Sequence, residues 1–240
     1  MKTTIGKKSI LKKGALIVFC MQLLTGVYAQ AWLSDIKKVN HVFANASSFS
    51  MQLSVKIYDR QAAATPMMTY SGKVMKSGSL YFSEMMGKVT LLNEKGNLFV
   101  DEAQKVVVFR KSTGAKKAVQ APDFTKLETV LDSMLTKGAT ATYMENSALN
   151  KKIRIVNNNY VYKTVEISID PATYAIRQVI YYMDPATAAE SSVAKIVVDY
   201  SGVQTNTPLA SALFSEKKYV LVANGKASLT KAYKEFKLIN

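Results

Sequence analysis

The sequence predicts one α+β domain, in which a highly curved antiparallel sheet of about eleven strands has helices over one face. Apolar and polar residues alternate over many short segments, two longer segments have apolar residues at helical spacing, and no linker-like stretch divides the chain. The connections between the predicted strands are so short that they allow hairpins only. Successive hairpins make the sheet antiparallel.

The first 29 residues have the three parts of a secretory signal peptide. A lysine-rich start precedes an apolar stretch, residues 15–24, which is too short to cross a hydrocarbon core of roughly 30 Å. Val27 and Ala29 then supply short or small side chains at the positions that precede a cut before Gln30. The alternative interpretation is a retained membrane anchor. We expect cleavage, export, and a soluble single domain of residues 30–240.

The composition limits the function. The chain has 32 basic and 17 acidic residues, and residues 1–29 contain five of the lysines and no acidic residue, so the remainder carries +10. This charge suits anionic lipid headgroups or an acidic partner, and equally a solvated basic surface. No cluster of basic and aromatic residues indicates nucleic acid as a partner. The remainder also lacks cysteine, so packing alone must hold the fold in an oxidising compartment.

An amphipathic helix is predicted over residues 31–46 by the helical spacing of Trp32, Ile36, Val39 and Phe43. Directly after it the apolar period changes to two, as in a strand with one wet face. Strands are predicted at 49–58, 67–76, 79–86, 88–93, 97–101, 105–111, 140–145, 151–157, 160–170, 174–183 and 193–200. A helical turn is predicted at 209–214 and a strand at 217–223, while 229–239 fits either a strand or a helix.

A second helix is predicted over residues 123–137, in the middle of the strand pattern. Its apolar stripe includes Phe124, Leu127, Leu131 and Leu135, and Gly138 follows its last turn. The stripe has to lie against the concave face of the sheet or be left exposed. We predict that this helix is a movable cover, or lid, for an apolar pocket; the alternative is a helix that belongs permanently to the core.

The familiar catalytic signatures are missing from this sequence. With one histidine, and neither a CxxC nor an HExxH sequence, no His-based triad or His-based metal site can be assembled. The glycines never follow a nucleotide-binding spacing, and no GxSxG sequence occurs. Two carboxylates that are distant in sequence could still meet in space as a glycosidase-type pair. We therefore predict a protein that is not an enzyme and needs no metal or cofactor.

Methionines are concentrated on the early strands, with six of them between Met51 and Met86. Flexible, polarizable methionine side chains suit a surface that must fit variable apolar ligands, and they also fill ordinary cores. We predict, from the period of two alone, that one apolar pocket is lined by Met51, Leu53, Val55, Tyr70, Phe82 and Met86, faced by Phe99, Ile167 and Ile180.

A family resemblance rests on the sequence of residues 46–56, ASSFSMQLSVK, in which the first predicted helix is joined to the first predicted strand. It continues in GKV at 72–74, GNLF at 96–99 and VVDY at 197–200, and runs through nearly all of the mature chain. In this order of elements the sequence resembles the periplasmic carriers of outer-membrane lipoproteins, the LolA-like group. Many of these carriers have an Arg-Pro pair where this chain reads KSGS at 76–79, so no arginine role is carried over.

The resemblance implies an open, half β-barrel capped by helices, with an apolar cavity for acyl chains. It implies a periplasmic carrier that moves an acylated lipoprotein or a lipid toward the outer membrane, and it allows an inner-membrane donor and an outer-membrane acceptor. An alternative from another class is a non-catalytic scaffolding or interaction module of the envelope that uses the same curved sheet. A hydrolase with an unrecognised site is the third hypothesis.

Overall fold

The computed structural model describes residues 31–61, 64–112, 137–157, 162–184, 192–223 and 226–240 of the 240-residue chain. Helix α1 occupies residues 31–44. The first run of strands is β1 (Ser48–Asp59), β2 (Pro66–Ser77), β3 (Leu80–Met85), β4 (Lys88–Asn93), β5 (Gly96–Asp101) and β6 (Val106–Lys111). The second run is β7 (Thr140–Asn146), β8 (Lys151–Val156), β9 (Tyr162–Ile169), β10 (Ile176–Met183) and β11 (Val193–Thr205). The remaining strands are β12 (Val220–Ala223), β13 (Lys226–Leu229) and β14 (Lys237–Ile239), and 3₁₀ turns lie at Ser211–Phe214, Glu216–Lys218 and Lys231–Tyr233.

Twelve strands form one sheet in the order β14-β6-β5-β4-β3-β2-β1-β11-β10-β9-β8-β7, while β12 and β13 form a separate hairpin. Each run of strands is an antiparallel meander, and the pairing of β1 with β11 joins the two meanders. Among the described strands, those at the two ends of this order are not paired with each other, so the sheet is open. The predicted α+β class and the eleven predicted strands before residue 209 are confirmed.

Helix α1 packs on one face of the sheet through the predicted apolar stripe. Ile36 and Val39 are fully buried, and the ring of Phe43 meets that of Phe49 on β1 at 5.8 Å. The same core cluster includes Ile153 on β8. Since one helix contacts strands of both meanders, the sheet has to curve around it. We call the face that carries α1 the concave face and the opposite one the convex face.

Hydrogen bonds fix the joint between α1 and β1. Ser47 donates its backbone N–H to Oδ1 of Asn206 at 3.0 Å, and the hydroxyl of Ser48 donates to the carbonyl of Thr207 at 2.7 Å. The N–H of Gly78, in the turn after β2, donates to the carbonyl of Ser47 at 2.8 Å. The two serines therefore tie the end of α1 to the neighbouring ends of β2 and β11, which sets where the helix lies over the sheet.

The C-terminal residues cover the convex face of β3 to β6. Phe214, Tyr219, Val220 and Tyr233 are buried there against outward side chains of that half of the sheet. We call residues 211–223 and 226–240 the C-terminal cover. The sequence did not predict this second layer, because it assigned helices to one face only.

The undecided stretch 229–239 proves to contain a 3₁₀ turn and then β14. Strand β14 pairs in parallel with β6, through Leu238 opposite Val107. The prediction of an entirely antiparallel sheet is wrong for this pair. A parallel neighbour becomes available because the chain returns to this edge over the convex face instead of through a hairpin.

Candidate functional site

The concave face changes from buried to half-exposed along β1. Phe49, Met51 and Leu53 point toward α1, with exposed fractions of 1%, 4% and 8%. The next inward side chains, Val55 and Ile57, are only half-buried. Helix α1 therefore covers one end of the concave face, which we call the closed end. The open end begins at Val55.

Apolar side chains continue across the open end on both neighbours of β1. Val55 is opposite Tyr70 on β2 and Val198 on β11. The next inward row consists of Ile57, Met68 and Ile196. Met68 is 47% exposed, and the hydroxyl of Tyr70 donates to its sulfur at 3.1 Å. The open end thus presents apolar surface that α1 leaves uncovered.

Tyrosines extend this surface over β9 to β11. Tyr181 is opposite Ile196, and Tyr200 is opposite Leu53, which places both on the concave face. The rings of Tyr162 and Tyr181 lie 5.1 Å apart. Burial raises the pKa of Tyr181 and the pKa of Tyr200 above the usual tyrosine range, so both hydroxyls stay neutral. Tyr200 lies in the row of Leu53 at the closed end, whereas Tyr181 lies in the row of Ile57 and Ile196 at the open end. The open end therefore combines apolar surface with the neutral hydroxyl of Tyr181.

Six of the nine residues predicted to line a pocket lie on the concave face. They are Met51, Leu53, Val55, Tyr70, Phe99 and Ile167. Met51, Leu53 and Ile167 belong to the core under α1, whereas Val55 and Tyr70 lie at the open end. Phe99 is 37% exposed on β5. That these residues bind a ligand stays a prediction.

The other three predicted residues lie elsewhere, so the assignment of all nine to one face is wrong for them. Phe82 is buried on the convex face with the C-terminal cover, and Ile180 is opposite Glu166 on that same face. Met86 lies in the turn between β3 and β4, with a φ of 56° and 49% of its surface exposed.

The error at Phe82 and Ile180 has one physical reason. Each follows another apolar residue, Tyr81 or Val179, and a period of two cannot decide which member of such a pair faces inward. Tyr81 and Val179 are the inward ones. Sequence reasoning also missed Tyr181, Ile196, Val198 and Tyr200. A signal for Val198 and Tyr200 was present on β11, where they alternate with Asp199 and Ser201, whereas Val197 hides the face of Ile196.

A buried ionic cluster anchors α1 at the closed end. Asp35 is 4% exposed, and its Oδ2 accepts from the hydroxyl of Tyr143 on β7 and from Nζ of Lys151 on β8, both at 2.6 Å. Burial and the hydrogen bond to the Asp35 carboxylate raise the pKa of Tyr143. Lys38 donates to the hydroxyl of Tyr174 at 2.9 Å. These contacts identify α1 as a fixed element of the fold.

The convex face of β1 and β8 to β11 carries ion pairs. Glu166, 2% exposed, accepts from Arg154 and pairs with Lys152, both at 2.6 Å. Its burial acts to raise the pKa of Glu166, but the two cationic donors outweigh this and hold that pKa below its usual range. Lys56 pairs with Asp199 at 2.8 Å. This half of the convex face is therefore polar and internally charge-compensated.

A shallow depression of about 400 Å³ lies on this polar side and not at the open end. Its lining side chains include Gln52, Ser54, Ser71, Lys73, Glu84 and Ser201. Such a lining does not suit acyl chains.

In the described part of the chain, no three His, Cys, Asp or Glu residues are grouped to hold a metal ion, and no helix is long and apolar enough to cross a membrane.

The residues predicted for the lid lie outside the described ranges. They are Phe124, Leu127, Leu131 and Leu135. The strands that flank this segment, β6 and β7, lie at or next to opposite edges of the sheet. The predicted signal peptide lies outside the described ranges as well.

The open, curved sheet with a helix on its concave face is the architecture that the resemblance to the LolA-like group implies, and for the fold that prediction is confirmed. No family model matches the chain, and no curated protein sequence is significantly similar to it.

Solved structures similar to the chain include an uncharacterized conserved protein from Thermus thermophilus, at 12% identity over 78% of this chain and 92% of that one, with a TM-score of 0.43. A LolA superfamily protein from Nitrosomonas europaea is 12% identical over 79% and 98% of the two chains, with a TM-score of 0.33. The lipoprotein LppX from Mycobacterium tuberculosis is 10% identical over 75% and 98%, with a TM-score of 0.35. Likeness at this level concerns the fold and assigns neither a ligand nor an activity.

Proposed function

We propose that this protein is a non-enzymatic carrier or binder of acyl chains, which it holds at the open end of the concave face. The observation that carries the proposal is the change along β1 from the buried Leu53 to the half-buried Val55 and the 47% exposed Met68 beside it. A protein that needed its concave face only for stability would cover these side chains. An apolar ligand laid on them would complete the core that α1 leaves unfinished.

Transfer free energies explain why such a protein is useful. Each CH₂ group moved out of water contributes about 0.8 kcal/mol, so a chain of about fifteen such groups costs roughly 12 kcal/mol when exposed. A carrier removes this barrier without chemistry and needs no cofactor. The neutral hydroxyl of Tyr181 suits the ester or amide groups of an acylated lipid or lipoprotein.

The cargo, the compartment and the lid complete the proposal. We assign the protein to the periplasm, where it would take an acylated lipoprotein or lipid from an inner-membrane donor and pass it to an outer-membrane acceptor. The predicted helix 123–137 would close over the open end through Phe124, Leu127, Leu131 and Leu135.

N-terminal sequencing of the protein from its own host should begin at Gln30; an intact Met1 on envelope-located protein would contradict a soluble carrier.

A matched pair of variants tests binding at the open end. Val55→Asn places a polar group on the concave face, and Ile180→Asn places the same group at a half-buried position on the convex face. Displacement of a fluorescent fatty-acyl probe should weaken about tenfold or more in the first variant and stay unchanged in the second. Thermal unfolding of both variants controls for stability.

The same experiment separates the alternatives. A scaffolding module of the envelope could use the polar half of the convex face. The C-terminal cover does not extend over the ion pairs there, which join Lys56 to Asp199 and Arg154 to Glu166. Such a module would bind no probe, and lipid extraction followed by mass spectrometry would find no co-purifying acyl chains. A hydrolase would release fatty acid from an ester probe. Either result would overturn the carrier proposal.

A further inference from the structure

The C-terminal cover has two sides of different character. In its hairpin, Val220 is opposite Leu229 and Val222 is opposite Ala227, and these residues face the convex side of the sheet. The alternate pairs point away from the sheet. They include Leu221, which is 53% exposed. The cover is thus a layer with one buried face and one face that is open to the surroundings.

The outward side of the cover is strongly basic. Residues 211–240 contain six lysines and two glutamates, with no arginine or aspartate. All six lysines are exposed, but Lys237 is opposite Val106 and therefore lies on the concave side of β6. The other five are Lys217, Lys218, Lys226, Lys231 and Lys234. Lys105 is also exposed and lies next to β14, where its carbonyl accepts from the N–H of Lys237 at 2.8 Å.

The two glutamates do little to offset this charge on the outside. Glu216 is 3% exposed and pairs with Lys95 at 2.8 Å, so its charge is already compensated by a lysine of the turn between β4 and β5. Glu235 lies 3.8 Å from Lys234. The outward side therefore keeps a net positive charge, unlike the compensated convex face around Glu166.

Exposed apolar side chains lie among these lysines. Leu213 is 46% exposed and Leu221 is 53% exposed. They lie on the turn before the hairpin and on the hairpin respectively. A surface with several lysines around separate apolar side chains matches the interface of an anionic bilayer, where headgroups meet the cations and the acyl boundary accepts the apolar groups.

The flexible lysines of the cover suit a lipid surface. Arginine binds carboxylates in a fixed two-pronged geometry, whereas lysine is a point charge on a flexible stem. A fluid layer of anionic headgroups offers no fixed geometry and requires only charge density. The cover supplies lysines alone.

We propose that the outward side of the C-terminal cover docks the protein on membranes that contain anionic phospholipid. The inference does not rest on the carrier function, because the cover and the open end lie on opposite faces of the sheet. A protein docked through the cover leaves its concave face free.

Vesicle binding tests the proposal with charge-matched variants. Sedimentation with phosphatidylglycerol–phosphatidylcholine vesicles is compared with pure phosphatidylcholine vesicles at low and high salt. The test variant is Lys217→Glu/Lys226→Glu/Lys231→Glu, and the control is Lys37→Glu/Lys137→Glu/Lys163→Glu, which reverses three exposed lysines outside the cover. The test variant should lose about tenfold or more in affinity for the anionic vesicles, and the control much less.

A third variant examines the apolar contribution, since Leu221→Ser keeps every charge and should weaken binding about threefold. Circular dichroism and thermal unfolding verify folding, and lysine-to-glutamine versions replace any variant that fails to fold. Wild-type protein that binds both vesicle types equally would overturn the proposal. Equal losses in the test and control variants would overturn it too, since they indicate net charge without a defined surface. Acyl-probe affinity, measured in parallel, reports on the carrier function separately.

Discussion

The closed and open ends of the concave face are built from the same strands with the same alternation, yet they differ in burial. Phe49 is 1% exposed at the closed end, whereas Met68 is 47% exposed at the open end. The difference is helix α1, which reaches only one of them. The comparison teaches that a single apolar stripe can serve stability over half its length and remain available for binding over the other half.

The largest effect should come from removing the anchor of the closed end. Asp35→Ala deprives Lys151 and Tyr143 of their shared acceptor and leaves a partly buried cation without a counterion. We expect a loss of about 3–5 kcal/mol in the free energy of unfolding by urea. Tyr143→Phe removes one hydrogen bond and should cost about 1 kcal/mol. Equal costs for the two variants would mean that the ion pair does not hold α1.

Truncations at the two ends should have opposite consequences. Ile36→Ala empties a fully buried site under α1 and should cost about 2–5 kcal/mol in unfolding free energy. Val55→Ala removes half-exposed surface and should cost less than about 1 kcal/mol, while lowering acyl-probe affinity. Denaturant unfolding and probe titration on both variants check this. The division of the face into two ends fails if Val55→Ala is the more destabilising change.

A smaller effect on stability is expected from Leu131→Ala in the predicted lid. If the helix closes over a ligand, the change should lower acyl-probe affinity and cost the ligand-free protein less than about 2 kcal/mol. Thermal unfolding with and without the probe measures both quantities. A large loss of stability with unchanged probe affinity would make this helix a permanent part of the core, and the open end would then be smaller than proposed.

Acidification should produce the mildest change, and on the convex face. The pKa of Glu166 is held below its usual value of about 4.5 by Lys152 and Arg154, so the unfolded chain takes up the proton first as pH falls. The stability from these ion pairs is complete above the unfolded pKa and is lost as pH falls through the lower, folded pKa. Glu166→Gln should make the free energy of unfolding depend less on pH when it is measured between pH 6 and pH 3. An unchanged pH profile would show that other carboxylates dominate.

Much of the fold followed from local pattern, and the misses have local causes. The eleven strands of the two meanders and helix α1 were predictable because each has a clear period and short connections. A helical turn at 209–214 and a strand at 217–223 were predicted and correspond to the 3₁₀ turn Ser211–Phe214 and to β12. Their position on the convex face was not predicted, because elements of three or four residues are too short for a period to show which face they cover. At the site, Phe82 and Ile180 were assigned to the wrong face. Each lies next to another apolar residue, so the alternation on β3 and β10 does not show which of the two side chains faces the concave side.

The pairing of β1 with β11 also constrains when the protein can fold. Lys56 and Asp199, which form an ion pair across these strands, are 143 positions apart in the chain. The joint between the meanders cannot form until β11 is present, and contacts so distant in sequence form slowly. The twelve-stranded sheet therefore cannot be completed until most of the polypeptide has been synthesised.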